Sequence, residues 1–260
     1  PFRPLEVLSE DALEAIHGAS LRILAEVGME VLGDGPLDRL ARAGAHVDRF
    51  SRRVRLDPEH IEALVALAPS TFTVHARNPD RWLEFGADHL GFGATPVEDA
   101  LSIWELIRGV DRDGLVREPS AMTVINTNSP LRLDGPMGDG LVAMATYGQP
   151  VVATPFTLAG AMSPVSLAGA LAQQNAEALF LVALAQVVRP GTPMVYGAFT
   201  SNVDMRTGAP AFGTPESVKA QLASGQLARR YGLPWRSSNA TAANVVDAQA
   251  AYEAEMAVWG

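Results

Sequence analysis

Four apolar runs in this chain end in side chains able to meet a polar or charged ligand. AMTVI at 121–125 opens onto Asn126, Thr127, Asn128 and Ser129, and VVA at 151–153 opens onto Thr154 and Phe156. MVYGAF yields Tyr196 and Phe199, then Thr200, Ser201 and Asn202; LPWRSS yields Trp235, Arg236, Ser237 and Ser238. Amides, hydroxyls, one guanidinium and aromatic rings can bind and orient a molecule but shuttle few protons. A second reading stands beside this one. Ser, Thr and Asn also cap the helix that follows a strand, and aromatic rings also fill cores. Asn126 and Asn128 lie two apart on a strand and share a face. The next helix begins only near Asp134, so capping does not account for both. The candidate binding set is Asn126, Asn128, Thr154, Phe156, Tyr196, Thr200, Ser201, Trp235, Arg236 and Ser238. Tyr196 serves equally well as core filler, and no catalytic residue is assigned.

Much chemistry is excluded. His17, His46, His60, His75 and His89 all precede these runs, so neither a Ser-His-Asp triad nor a histidine metal site fits there. Lys219 is the one lysine and falls mid-helix, which disfavours a Schiff base. With no cysteine there is no disulfide framework, thiolate metal site or thiol nucleophile, and no metal site is expected. No glycine-rich phosphate loop follows a strand. Asp111-Arg112-Asp113-Gly114 lacks the later ligands of a calcium loop and reads as a turn at a helix end. A net charge of −9 and a pI near 5.0 argue against nucleic acid or an anionic membrane as partner. The most apolar stretch, 164–188, contains Gln173, Gln174, Asn175, Glu177 and Gln186, which suits a buried helix better than a membrane span. With no leader pattern at the start, the expectation is a soluble, cytoplasmic protein.

These side chains need elements to position them. Residues 1–96 read as an N-terminal α+β region. Ser9 caps a first helix, a second runs near 36–43, Asp57-Pro58 opens a third, and 71–76 with 82–85 alternate as antiparallel strands. Residues 97–260 read as four βα units. Helices fall near 97–108, 135–147, 165–188, 215–231 and 244–259, and buried strands near 121–126, 150–155, 193–198 and 233–237. Strand starts roughly 30 to 40 residues apart give the rhythm of a parallel α/β sheet, whose strand C-termini share one ligand-binding edge. Ser163 and Thr214 are read as helix caps.

The strings NTNSPLRLDGPM, ATPFTLAGAMSPVSLAGALAQQNAEAL, YGAFTSNVDMRTGAPAFGTPE, ASGQLARRYGLPWRSS and DAQAAYEAEMAVWG resemble the trimethylamine:corrinoid methyltransferase family, the MttB type. The resemblance covers 97–260 and, more loosely, the N-terminal helices. It implies a (β/α)8 TIM-type barrel that moves a methyl group from a methylated amine to the Co(I) of a separate corrinoid protein. No cofactor is then bound directly, because the cobalamin travels on the partner. The archetype carries pyrrolysine, whereas relatives without it act on quaternary amines such as glycine betaine. This chain has no nonstandard residue, so the resemblance implies a quaternary or tertiary methylamine as substrate, and a homo-oligomer is expected. A quaternary nitrogen is already a leaving group, so a site without proton donors suits it. Aromatic faces would hold the cation. Arg236 with the Asn126 and Asn128 amides would hold a betaine carboxylate.

One departure stands out. A closed barrel needs eight strands, and four are counted here. GFGATP runs directly into VEDALSIWELIRGVD, although family members carry a long stretch between such segments. The barrel therefore reads as incomplete, with a break in the chain expected between about Gly93 and Val97. A genuinely shortened protein is the alternative. Two further function classes stay open: a catalytically silent betaine-binding barrel, and another cofactor-poor barrel enzyme such as a lyase.

Overall fold

The computed structural model describes residues 4–86 and 100–259. The expected break between Gly93 and Val97 lies outside them, as do the first residues of the helix expected at 97–108. In chain order the elements are α1 (Glu10–Arg22), a π-helical turn (Ile23–Val27), β1 (Met29–Val31), α2 (Asp34–Arg42), β2 (His46–Asp48), β3 (Arg53–Arg55), α3 (Pro58–Val65), β4 (Phe72–His75) and β5 (Trp82–Phe85). Then follow α4 (Ala100–Arg108), α5 (Arg112–Arg117), β6 (Thr123–Ile125), β7 (Arg132–Leu133), α6 (Gly135–Thr146), β8 (Val151–Ala153), β9 (Phe156–Ala159) and α7 (Leu167–Val188). The chain continues with β10 (Met194–Gly197), β11 (Phe199–Asn202), α8 (Pro215–Arg230), β12 (Trp235–Arg236) and α9 (Ala248–Trp259).

The four expected strands form one sheet in the order β6-β8-β10-β12, and every neighbouring pair is parallel. The architecture is mixed α/β around that parallel sheet. Among the described residues the sheet is open: it does not close into a barrel, and β6 and β12 are its edges. β9 and β11 continue the ladder beyond β8 and β10. The partner offset is the same in both pairs, as Val151 faces Met194 and Phe156 faces Phe199, and the Phe199 N–H bonds the Pro155 carbonyl across the interruption at 3.2 Å. Pro155, which has no N–H to offer a ladder, marks the break.

The sheet separates two cores. Val124, Val152 and Val195 point to one face, where Phe72, Val74 and Phe85 of the β4–β5 hairpin cover them. Ile125, Ala153 and Tyr196 point to the other, into a larger core built on α7. That helix is buried nearly all round, which its composition requires because it has no polar stripe. It is long and apolar enough to cross a membrane by length and composition, yet most of it is buried inside the protein. α1 and α3 pack on the same helix. The N-terminal sheet, β2-β3-β1-β7, takes its last strand from the later part of the chain, since Arg132–Leu133 pairs in parallel with β1.

Local signals explain most boundaries. Ser9 Oγ accepts the Ala12 N–H, and Thr214 Oγ1 accepts the Ser217 N–H. The cap of α7 is Ser166, not Ser163; its hydroxyl accepts the Gly169 N–H. Asp111 is not a helix end but the N-cap of α5, accepting from the Gly114 N–H at 2.8 Å.

Candidate functional site

Register and pleat place one row of residues across the carboxyl edge of the sheet. Val124 pairs with Val152, and Val152 with Val195. Two residues on from each, on the same face, stand Asn126, Thr154 and Gly197, and Gly197 pairs with Arg236. The row Asn126–Thr154–Gly197–Arg236 therefore faces away from α7. Gly197 is what lets Thr154 lean across it: a Cβ there would lie 2.3 Å from Thr154 Oγ1 and 2.7 Å from the Ala153 carbonyl. Thr154 is buried, and its hydroxyl has no hydrogen-bond partner among the described residues. Asn126 is exposed at the row's end. Arg236 is half-buried and makes no ion pair among the described residues. Partial desolvation holds its pKa below the usual arginine value.

One step further along the same ladder lies an aromatic pair. Phe156 and Phe199 stack with centroids 5.2 Å apart and planes 29° off parallel, and Phe212 meets Phe199 edge-on at 4.9 Å. Both rings of the pair are partly exposed. Alternation puts them on the face of Thr154, because their neighbours Thr157 and Thr200 turn the other way, bonding each other below Gln174 of α7. The face thus presents a neutral hydroxyl, an amide, a guanidinium and ring faces. That combination can hold a zwitterion whose carboxylate meets the guanidinium and whose cation meets the rings.

The rest of the sequence-based set lies elsewhere. Tyr196, Thr200 and Trp235 point to the helices. Tyr196 is fully buried; its hydroxyl donates to Asn175 Oδ1 at 2.8 Å and accepts from Gln174 Nε2 at 3.2 Å, and its ring stacks on Tyr231. Burial raises the pKa of both tyrosines. Thr200 donates to Gln174 Oε1 at 2.6 Å. Trp235 packs over Gly225 of α8, and its ring N–H is buried without a partner among the described residues. Ser201 donates to the Ala211 carbonyl, and Ser238 accepts the Ala240 N–H. Asn128 Oδ1 accepts the N–H of Asp134, the N-cap of α6, so the capping reading holds for that residue. Of the ten, Asn126, Thr154, Phe156 and Arg236 share the face turned away from α7.

The residue missed by sequence reasoning is Glu177. It is completely buried on α7, and its carboxylate accepts four hydrogen bonds. They come from the hydroxyls of Thr127 and Ser129, the Leu131 N–H at 2.9 Å and Gln173 Nε2 at 3.0 Å. This divides the run Asn-Thr-Asn-Ser by parity. Thr127 and Ser129 turn inward to satisfy a buried carboxyl group, as any buried polar group demands, leaving Asn126 and Asn128 outward. The signal was legible in outline: Gln173, Gln174, Asn175 and Glu177 interrupt an apolar helix that has no exposed side, so each needs a partner.

In α/β proteins with an open parallel sheet, ligands bind outside the carboxyl ends of the strands, the edge at which these polar and aromatic groups stand. Comparison with known proteins gives the family. The model of the trimethylamine methyltransferase (MTTB) family matches residues 1–96 and 92–260. The chain is 30% identical to a glycine betaine methyltransferase of Desulfitobacterium hafniense (strain Y51), covering 96% of this chain and 68% of that protein. It is 33% identical to the trimethylamine methyltransferase MttB1 of Methanosarcina acetivorans, covering 97% and 67%. With the trimethylamine methyltransferase MttB of Desulfitobacterium hafniense (strain DSM 10664 / DCB-2) the identity is 23%, over 94% and 65%. The chain belongs to the trimethylamine methyltransferase family and is a methyltransferase. It spans about two thirds of the length of these relatives. The alignment with the first runs over 327 residues, longer than this chain, and the family match divides at 92–96. Relatives therefore carry residues with no counterpart here, and the match divides where GFGATP meets VEDALSIWELIRGVD.

Proposed function

We propose that this chain holds the substrate edge of a (β/α)8 methyltransferase that moves a methyl group from a quaternary or tertiary methylamine, of the glycine betaine type, to the Co(I) of a corrinoid on a separate protein. The observation that carries the reading is Arg236: a half-buried guanidinium without an anion among the described residues, in one row with Thr154 and Asn126 and beside the Phe156–Phe199 pair. A betaine supplies both missing partners, a carboxylate for Arg236 and a quaternary cation for the ring faces. The names of the relatives agree with that chemistry. The open edges of β6 and β12 are where the remaining barrel strands would pair.

Chemically the site has little to do beyond holding and aiming. The nucleophile is supplied by the reduced corrinoid. When the methyl leaves a quaternary amine, the C–N bonding pair stays on nitrogen and yields a neutral tertiary amine, so no general acid is needed; a tertiary amine would have to enter as its ammonium ion. That suits a face that offers amide, hydroxyl, ring and guanidinium. Arg236 fixes one end of the substrate, and the ring faces desolvate the ammonium and leave one methyl pointing outward for in-line attack. A reducing cytoplasm suits both the cysteine-free chain and a Co(I) acceptor.

The test is a spectroscopic one. The purified chain is mixed with reduced cobalamin and, in turn, glycine betaine, trimethylamine, choline and dimethylglycine, and loss of the Co(I) absorbance is followed. Fastest loss with a methylated amine, well above the protein-free rate, is expected. Saturable betaine binding with no transfer would overturn the catalytic part and leave a betaine-binding protein descended from methyltransferases.

A further inference from the structure

A cavity of about 180 Å³ opens on the helical side of the sheet, between α1, α3, α7 and the end of α8. By the liquid's own volume that is room for about six waters, the size of a small organic ligand. Its apolar side is formed by Val65 and the exposed Ala66, with Leu179 and Ile61 packed beneath them and themselves fully buried. Its polar side is built from His17, Glu62 and Tyr231.

The hydrogen bonds there fix the charge. Asn175 Nδ2 donates to the Tyr231 hydroxyl at 2.8 Å, so that hydroxyl can pass its own proton to His17 Nδ1 at 2.9 Å. His17 Nε2 then carries the hydrogen and donates to Glu62 Oε1 at 3.1 Å. An imidazolium would need Tyr231 to accept twice and would leave its phenolic proton without an acceptor. Burial of His17 likewise lowers its pKa, against the pull of Glu62. His17 is therefore neutral. Arg230, the cation on the cavity wall, is held by Glu14 through two bonds of 2.5 and 2.7 Å. Counting Glu14, Glu62, Arg230 and His17, one negative charge is left over, on the half-exposed Glu62.

We propose that this cavity binds a small alkylammonium ion, its charge on the Glu62 carboxylate and its alkyl chain against Val65 and Ala66. The site is separate from the strand edge and does not depend on the reading of Arg236. The experiment is calorimetric titration of the full chain with n-butylammonium chloride, with n-butanol as the neutral control. Saturable binding in the millimolar range is expected, with weaker binding of n-butanol. Glu62→Gln keeps the hydrogen bond to His17 and should weaken n-butylammonium by about fivefold, the scale of a half-exposed ion pair. An unchanged thermal transition in that variant establishes that it is folded. Arg236→Ala should leave the affinity as it is. Equal binding of n-butanol, an unaltered affinity in Glu62→Gln, loss of binding in Arg236→Ala, or no saturable heat in the wild type would each overturn the proposal.

Discussion

Replacing Glu177 by alanine removes the one acceptor shared by four donors. Gln173 keeps its bond to the Met162 carbonyl, but Thr127, Ser129 and the Leu131 N–H are left facing a cavity on α7. Each buried donor without a partner costs about 1–3 kcal/mol. The two hydroxyls can rotate and a water can enter, so the total should come to about 3–5 kcal/mol. For a chain of this size that lowers the melting temperature by about 10 °C. Glu177→Gln preserves shape and one acceptor, and its amide can donate to the rotated hydroxyls, so it should cost only about 1–2 kcal/mol. Thermal denaturation followed by circular dichroism measures both, and amide exchange at Leu131 measures the loop itself. Glu177→Ala melting within a degree or two of wild type, with Leu131 exchange unchanged, would refute the idea that this carboxylate holds the Asn126–Ser129 segment in place.

Two other outcomes follow from the same geometry. Tyr196→Phe should destabilise the fold by about 1–3 kcal/mol, by stripping Asn175 Oδ1 of its donor, yet leave betaine affinity intact; denaturation and calorimetry separate the two effects. His17 has a folded-state pKa below its unfolded value near 6.5. Above that value both states are neutral there and nothing changes. As pH falls below it, the unfolded chain takes up a proton that the folded one refuses, so stability drops until the folded pKa is reached. His17→Gln should flatten that acid limb of the melting curve, and an identical limb would contradict the neutral assignment.

The sequence carried the sheet well and its faces badly. Strand order and direction followed from the spacing of βα units, and Ser9 and Thr214 were readable as caps. Tyr196 and Trp235 were not placeable, because a parallel strand covered on both sides is apolar throughout and shows no alternation to reveal which side is which. Their direction is set by the register of β10 and β12 with β8. β7 was invisible for a different reason. Two residues, Arg132 and Leu133, carry no periodicity, and only their pairing with β1 makes them a strand. Asn128 needed the turn geometry after β6 before its role as a cap for Asp134 could be recognised.

The account rests most heavily on Arg236 as the anchor for a substrate carboxylate, and calorimetry on one variant addresses it directly. Arg236→Ala should weaken glycine betaine by roughly 2–5 kcal/mol, the range for truncating one partner of a hydrogen-bonded charge pair. Trimethylamine has no carboxylate and should bind almost as before. Equal losses for the two amines, or no loss for betaine, would contradict the account and make Arg236 a structural residue of the strand edge.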